Sequence, residues 1–152
     1  MTINDIAKEL GMDYDRRYRF YNINGRVNVY KITDNNIYSF SDGKYFVEDP
    51  YVALGLLHTV KHDQTKMFKY FDPDNYNDIW TLRRDKNRYY TEAVNWGDTD
   101  KWNECIRLNN YFLFYEEIAD NIKFIKEFLD NQDDMLCDKE WQREARRKCI
   151  IS

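Results

Sequence analysis

Residues 18–47, YRFYNINGRVNVYKITDNNIYSFSDGKYFV, contain four short runs rich in aromatic and β-branched residues, the types that favour strands. Turn-forming sequences separate these runs, and Asn-Gly or Asp-Gly in that position is typical of β-hairpins. This stretch therefore predicts a small antiparallel meander. The predicted strands are Tyr18–Ile23, Arg26–Thr33, Ile37–Ser41 and Lys44–Val47, and the predicted turns are Asn24-Gly25, Asp34-Asn35-Asn36 and Asp42-Gly43.

A helix is predicted on each side of the meander. On the N-terminal side, Thr2 is an N-cap residue and Gly11 is a left-handed helix stop. On the C-terminal side, Asp49 is followed by Pro50, a residue favoured at the first helical position. We expect this second helix to cover one side of the meander. Its common face is predicted to carry Tyr51, Leu54, Leu57 and His58.

The second half of the chain restarts with strand signals after the polar residues 61–65. Three runs predict a second antiparallel sheet, and they are Met67–Phe71, Ile79–Arg84 and Arg88–Asn95. A strongly amphipathic helix is predicted from about Tyr115 to Asp130. Its apolar residues are Ile118, Ile122, Phe124, Ile125, Phe128 and Leu129.

These elements predict an α+β fold of small antiparallel sheets with packed helices. The composition changes near residue 61, so we divide the chain there into two candidate subdomains. Residues 1–60 would hold the first helix, the meander and the second helix. Residues 66–152 would hold a three-stranded sheet followed by helices. The sequence leaves open whether these parts are tandem subdomains or one compact unit.

Composition favours a folded protein without a general affinity for nucleic acid. Of the 152 residues, 43% are hydrophobic, and the formal net charge is −4. Nucleic-acid binding normally needs a basic face, so this charge argues against it. The sequence has neither the features of a secretory signal nor an apolar run near the roughly 20 residues of a membrane span. We therefore expect a cytoplasmic protein.

Arginines are interleaved with aromatic residues in two places. Arginine forks suit phosphate groups, and tyrosine faces suit bases. At alternating strand positions several of these side chains would share a face, which predicts a cradle for a nucleotide, a nucleic-acid strand or an acidic protein surface. The competing interpretation is a solvated face on which arginine stems cover rings. The candidate binding residues are Arg16, Arg17, Arg19, Arg83, Arg84, Arg88, Tyr89 and Tyr90.

The sequence offers no complete catalytic or metal-binding set. His58 and His62 have i,i+4 spacing, but no third ligand is evident and the H-E-x-x-H pattern is absent. Cys105 is a loose candidate nucleophile without a histidine that can be placed beside it. The three cysteines have no C-x-x-C spacing, so reduced thiols are expected. We therefore expect neither enzymatic activity nor a cofactor nor a metal.

Strand, turn and helix signals follow one another quickly in Trp96-Gly97-Asp98, Asn109-Asn110-Tyr111-Phe112 and Glu116-Glu117-Ile118-Ala119. The pattern resembles a recurrent domain of short phage and prophage proteins from low-GC Gram-positive bacteria. Ile6-Ala7-Lys8-Glu9-Leu10-Gly11 and Val29-Tyr30-Lys31-Ile32-Thr33 with Ile37-Tyr38-Ser39 extend the resemblance to the first half. It carries over no catalytic residues, and it implies a location in a host bacterial cell.

The resemblance implies a non-catalytic phage-type protein that binds a host macromolecule and blocks it. The expected partner is a host protein such as a nuclease effector, or its nucleic-acid complex, which would make the chain an anti-CRISPR-like inhibitor. One alternative is a sponge that binds a nucleotide signal with the arginine and tyrosine clusters. Another is a homo-oligomeric structural or regulatory phage protein. A sponge needs a concave arginine site, whereas an inhibitor needs a flat or convex aromatic patch.

The C-terminal residues Cys149-Ile150-Ile151-Ser152 match a prenylation box that follows several basic residues. One interpretation is a lipid anchor acting in a eukaryotic host. The other, which we favour, is coincidence, because the composition resembles AT-rich bacterial or phage coding and bacteria lack the prenylating enzymes.

Overall fold

The computed structural model describes residues 1–86 and 88–132, which form the predicted α+β fold. The described helices are α1 (Ile3–Leu10), α2 (Pro50–Lys61), α3 (Thr99–Arg107), α4 (Tyr115–Ala119) and α5 (residues 122–132). The described strands are β1 (Tyr18–Asn22), β2 (Val27–Thr33), β3 (Asn36–Ser41), β4 (Lys44–Val47), β5 (Thr65–Lys69), β6 (Asp78–Asp85) and β7 (Arg88–Asn95). The predicted prenylation motif Cys149–Ser152 lies outside the described residues.

The predicted meander is confirmed, and its four strands form an antiparallel sheet in the order β4-β3-β2-β1, to which β5 is added beside β1. Two-residue turns join β2 to β3 and β3 to β4. Their central residues have positive φ: 50° at Asp34, 57° at Asn35, 52° at Asp42 and 74° at Gly43. Such turns match the twist of the strands that they join, so they fix the pairing register.

α1 and α2 cover one face of this sheet, which we call the helix face. Thr2 and Asp5 form a capping box at the start of α1, and Gly11 ends it with φ of 77°, as predicted. The apolar core beneath the two helices is continuous. Its buried members are Ile3, Ile6, Met12, Tyr18, Phe20, Ile32, Ile37, Ala53 and Leu57.

The predicted inner face of α2 is wrong in part. Leu57 is buried, but Tyr51 is 78% exposed and Leu54 is also exposed. The α2 residues that pack on the core are Val52, Ala53, Leu56, Leu57 and Val60. From Ala53 onward these residues have i, i+3, i+4, i+7 spacing, which places four apolar side chains on one helical stripe.

The predicted three-stranded sheet of the second half is also wrong. β5 pairs with β1, with Phe68 opposite Arg19, whereas within the described residues β6 and β7 pair only with each other and with a bridge from Trp80 to Phe112. A 3-10 turn at Pro73–Asn75 directs the chain away after β5. Met67 packs on the helix-face core and Phe68 on a second core, so β5 is apolar on both sides. The division near residue 61 stays a prediction.

The long amphipathic helix predicted from Tyr115 to Asp130 is interrupted. α4 ends at Ala119, and α5 begins at residue 122. The Asn121 side-chain amide donates to the Glu117 carbonyl at 2.9 Å, and the Asn121 carbonyl accepts from Ile125 N–H at 2.9 Å. Asn121 therefore closes one helix and opens the next. The break leaves Ile122 38% exposed and buries Phe124.

The second core lies where the two sheets meet. Tyr21, Phe68 and Phe112 are joined there by Ile125 and Phe128 from α5. No helix in the described part of the chain is long and apolar enough to cross a membrane.

Candidate functional site

The face of the five-stranded sheet opposite the helix face, here called the outer face, has two parts. Alternation along β1 places Arg19 and Tyr21 on it, and Arg17, directly before β1, continues the same alternation. The covered end consists of Arg19, Tyr21 and Phe68, all buried beneath the second half of the chain. The open end consists of Arg17, Lys31, Tyr38, Phe40, Tyr45 and Tyr70, all half-buried or exposed.

At the covered end, Arg19 is enclosed and only 1% exposed. Its Nη1 donates to the Tyr21 hydroxyl at 2.7 Å and to the Tyr111 carbonyl at 2.8 Å. The guanidinium carbon lies 4.5 to 5.5 Å from the ring centroids of Tyr21, Phe71, Tyr111 and Phe112. Aromatic faces thus surround a buried cation that has no carboxylate partner among the residues described. Arg19 is part of the interior and is not accessible to a ligand.

Tyr21 links this arginine to the second half. Its hydroxyl donates to the Asn109 carbonyl, and its ring contacts Phe68, Phe112 and Phe128. Burial raises the pKa of the Tyr21 phenol, and the charge of Arg19 opposes that rise only in part. The hydroxyl therefore stays protonated and keeps donating its hydrogen bond.

At the open end, Arg17 lies between two rings. Its guanidinium carbon is 4.5 Å from the Phe40 centroid and 4.2 Å from the Tyr70 centroid. The Arg17 side chain makes no hydrogen bond or ion pair within residues 1–86 and 88–132. The two rings hold the guanidinium in place while its N–H donors stay without a protein partner.

Lys31 extends the open end toward β4. Its Nζ lies 3.9 Å from the Tyr45 centroid and donates to Asp15 at 2.8 Å. That hydrogen bond raises the pKa of Lys31. Tyr45 also contacts Phe40, with 5.0 Å between ring centroids. A continuous row of rings and cations therefore runs from Tyr70 and Arg17, beside the ends of β5 and β1, across β2 and β3 to β4.

The structure does not bring the eight predicted binding residues together. Arg16 pairs with Asp13 at 3.3 Å, outside the row formed by Arg17. The other five predicted residues after Arg19 lie on the β6–β7 hairpin, which belongs to the other sheet. They are Arg83, Arg84, Arg88, Tyr89 and Tyr90.

Three of the five hairpin residues are engaged by neighbouring acids. Arg83 lies 3.6 Å from Glu92, and Arg84 lies 3.9 Å from Asp130. The Tyr89 hydroxyl donates to Asp130 at 2.8 Å. Arg88 and Tyr90 are exposed, and Arg83, Arg84 and Tyr89 border a cavity of about 170 Å³ that Glu104 and Asp130 also line. Small-molecule sites usually measure ~300 to 1,000 Å³, so this cavity is small.

Cys105 and the two histidines show no sign of catalytic geometry. Cys105 is 2% exposed, and burial raises the pKa of its thiol, which disfavours the reactive thiolate. The His58 and His62 rings lie 4.4 Å apart on the exposed side of α2. Among the described residues, no group of three or more His, Cys, Asp or Glu side chains is placed to hold a metal ion.

Sequence reasoning found Arg17 but missed the other members of the open end. Four of these lie on strands that were predicted correctly, at alternating positions that point to the same face of the sheet. They are Lys31, Tyr38, Phe40 and Tyr45. Applying the period of two across the whole meander would have found these four. Tyr70 had no such signal, because β5 was assigned to the other sheet. Comparison with known proteins finds no significant match to a family model, a curated protein or a solved structure.

Proposed function

We propose that this chain is a non-catalytic binding protein whose open end attaches to an acidic patch on another protein and blocks that protein sterically. The observation that carries the proposal is the Arg17 side chain, which is clamped between Phe40 and Tyr70 and has no polar partner among the described residues. Aromatic residues and arginine are the types that contribute most to protein interfaces.

The geometry of Arg17 suits a carboxylate ligand. A guanidinium presents a planar fork of donors that matches a carboxylate with two hydrogen bonds. Contact with two rings restricts the rotamers of the free side chain, so less conformational entropy is lost when a partner binds. The surrounding rings of Tyr38, Phe40 and Tyr45 provide flat contact area around the fork, and the two tyrosines add hydroxyl groups to it.

An acidic protein surface is favoured over a nucleic-acid strand. A strand presents a regular series of phosphates and needs several free cations. At the open end, Lys31 is engaged by Asp15 at 2.8 Å, and the neighbouring Arg16 is engaged by Asp13. Among the described residues of the open end, Arg17 is therefore the cation without a polar partner, and its single charge is enough for one carboxylate and too little for a phosphate backbone.

The alternative of a nucleotide sponge has less support. Its predicted arginine site on the hairpin adjoins a cavity of about 170 Å³, and the carboxylates of Glu104 and Asp130 lie in its wall. Carboxylates repel phosphates at close range. The buried arginine, Arg19, is enclosed by rings and by its own hydrogen bonds. Neither place offers the open concave arginine site that a sponge needs.

The resemblance of residues 96–119 to short phage proteins supplies the biological side of the proposal. A phage-type protein that acts in the bacterial cytoplasm would gain most by blocking a host defence effector, as an anti-CRISPR-like inhibitor does. The open end is the surface that such an effector would contact.

Affinity capture with matched variants tests this proposal. Tagged wild type, R17A and R84A are each incubated with lysate of the bacterial host, and bound proteins are quantified by mass spectrometry. Arg84 is an exposed arginine on the other sheet, so R84A controls for the loss of one surface charge. We expect one stoichiometric protein that R84A retains and R17A captures at least about tenfold less, as hot-spot arginines do.

Two results would contradict the proposal. One is capture of no stoichiometric protein by the wild type. The other is equal capture by wild type and R17A. Loss of the captured material after nuclease treatment would show that the ligand is nucleic acid and would also overturn the assignment of an acidic protein surface.

A further inference from the structure

β4 is an edge strand, and its edge facing away from β3 is unpaired within the described chain. It pairs only with β3, and all four of its residues are exposed. Tyr45, Phe46 and Val47 are 42%, 51% and 65% exposed. Natural sheets usually protect such edges with prolines, bulges or inward charges, because an open edge is a template for another strand. β4 is an apolar edge flanked by one Lys and one Glu.

Two observations show which residues of β4 direct their backbone N–H and C=O groups away from β3. Glu48 N–H donates to the Ile37 carbonyl at 2.9 Å, and the two-residue turn makes Ser41 and Lys44 the closing pair of the hairpin. Because paired and unpaired positions alternate in antiparallel ladders, Lys44, Phe46 and Glu48 direct their backbone groups toward β3. Tyr45 and Val47 therefore direct their N–H and C=O groups toward the open side.

We propose that β4 pairs antiparallel with β4 of a second copy of this chain, with Phe46 of each copy on the two-fold axis. This register sets Tyr45 of each copy opposite Val47 of the other, and both residues present free backbone groups there. Two hydrogen bonds form in each of the two Tyr45–Val47 pairs. The two five-stranded sheets then join into one of ten strands.

Charge complementarity indicates that the strand pairing with the open edge of β4 comes from a second copy of this chain. Residues 44–48 read Lys-Tyr-Phe-Val-Glu, so antiparallel self-pairing about Phe46 brings Lys44 of each copy opposite Glu48 of the other. A slip of two residues in either direction would set Phe46 opposite one of these charges instead. A two-fold interface is isologous, so each favourable pair occurs twice. Opposite charges facing each other across strands are stabilising, and like charges are destabilising.

This inference goes beyond the proposed function and does not rest on it. Tyr45 belongs both to the edge and to the open end, so pairing of β4 would place two open ends side by side on one continuous sheet. The dimer would thereby offer two copies of Arg17 to a partner. Dimerisation can be measured with the purified chain alone, so it succeeds or fails independently of any captured protein.

Sedimentation velocity of the full chain over about 1 to 500 μM tests the pairing. We expect wild type to shift from 18.7 kDa toward twice that mass as concentration rises. The K44E variant places a second carboxylate opposite Glu48 at both ends of the paired strands, and we expect it to weaken dimerisation about tenfold. E48K does the same with two ammonium groups. The double variant K44E/E48K exchanges the charges and should restore most of the wild-type dimer.

Two further variants separate edge pairing from damage to the fold. In V47P the lost N–H points away from β3, so the hairpin keeps its own hydrogen bonds while the dimer loses two, and we expect a monomer with an unchanged circular dichroism spectrum. K69E introduces the same charge change on β5, at the opposite edge of the sheet, and should dimerise like wild type.

A wild type that remains monomeric over the whole concentration range would overturn the proposal. So would a dimer that V47P leaves intact. If K44E weakens the dimer and E48K in the same chain fails to rescue it, the proposed register is wrong.

Discussion

Arg17, directly before β1, and Arg19, within it, lie two residues apart on the same face of the same sheet, and both guanidinium groups contact aromatic rings. They differ in what lies above them. Arg19 is roofed by residues of the second half and is 1% exposed, whereas Arg17 keeps a route to solvent. The same side-chain chemistry therefore holds the two sheets together at the covered end and is available for recognition at the open end.

The comparison shows that an arginine among aromatic residues has no fixed role. A ring face stabilises the cation in both settings. Where the surroundings exclude water, polar partners also matter, and Arg19 Nη1 finds the Tyr21 hydroxyl and the Tyr111 carbonyl, whereas its Nε and Nη2 find none among the described residues. Where water remains, the rings alone are sufficient, and the Arg17 donors have no polar partner among the described residues.

Truncating one tyrosine at each end should give the largest difference in the free energy of unfolding between paired variants. Tyr21 is fully buried against three rings, so Y21A should reduce the free energy of unfolding by about 4 kcal/mol through lost contacts and a cavity. Y38A, at the half-buried open end, should cost less than about 1 kcal/mol. Urea denaturation measures both values. Similar losses in the two variants would break the distinction between the ends.

Two glycines test how closely α5 packs on the turn before β2, next to the covered end. At Gly25, with φ of +96°, an added Cβ would lie 2.9 Å from Gln132 Cγ and 3.1 Å from its backbone nitrogen. At Gly43, with φ of +74°, no atom lies within 4 Å. G43A should cost about 1 kcal/mol from backbone strain, and G25A about 2 to 3 kcal/mol, because α5 must also shift. Thermal unfolding of both variants checks this ratio, and an equal cost would mean that Gln132 does not pack on Gly25.

Alkaline pH should weaken the covered end specifically. Burial raises the folded-state pKa of Tyr21 above its ordinary value of 10.0, so the phenol stays neutral in the folded protein and ionises in the unfolded chain. Its contribution to stability is therefore complete below pH 10 and is lost as the pH rises further. Between pH 10 and 11, wild type should lose about 1 kcal/mol more than Y21F, measured by urea denaturation. Parallel losses in the two proteins would contradict this assignment.

Local chemistry made much of the fold predictable. Thr2 and Gly11 delimit α1, and the residues with positive φ at Asp34, Asn35 and Asp42 lie in the predicted turns. These features depend on a few adjacent residues. Short-range signals were therefore enough to place the helices and strands of the first half.

The errors in strand pairing and in the arginine site depend on contacts between distant residues, whereas the error in the long helix is a local break. The turns on either side of β5 do not indicate whether it pairs with β1 or with β6. Its pairing with β1 depends on the two cores that Met67 and Phe68 join on its opposite faces. Asn121 interrupts a helical pattern that has no Gly or Pro. Arg17 and Arg19 have the same parity and similar neighbours, so no local pattern distinguishes the accessible arginine from the buried one.

Urea denaturation of R17A and R19A side by side tests the division of the outer face most directly. R19A leaves a cavity and removes two hydrogen bonds, so we expect it to lose more than about 2 kcal/mol of unfolding free energy. R17A removes only ring contacts at a half-open site, so we expect a loss below about 1 kcal/mol. Equal losses, or a larger loss in R17A, would contradict the structural role of Arg19 and the contrast in burial on which the proposed recognition role of Arg17 depends.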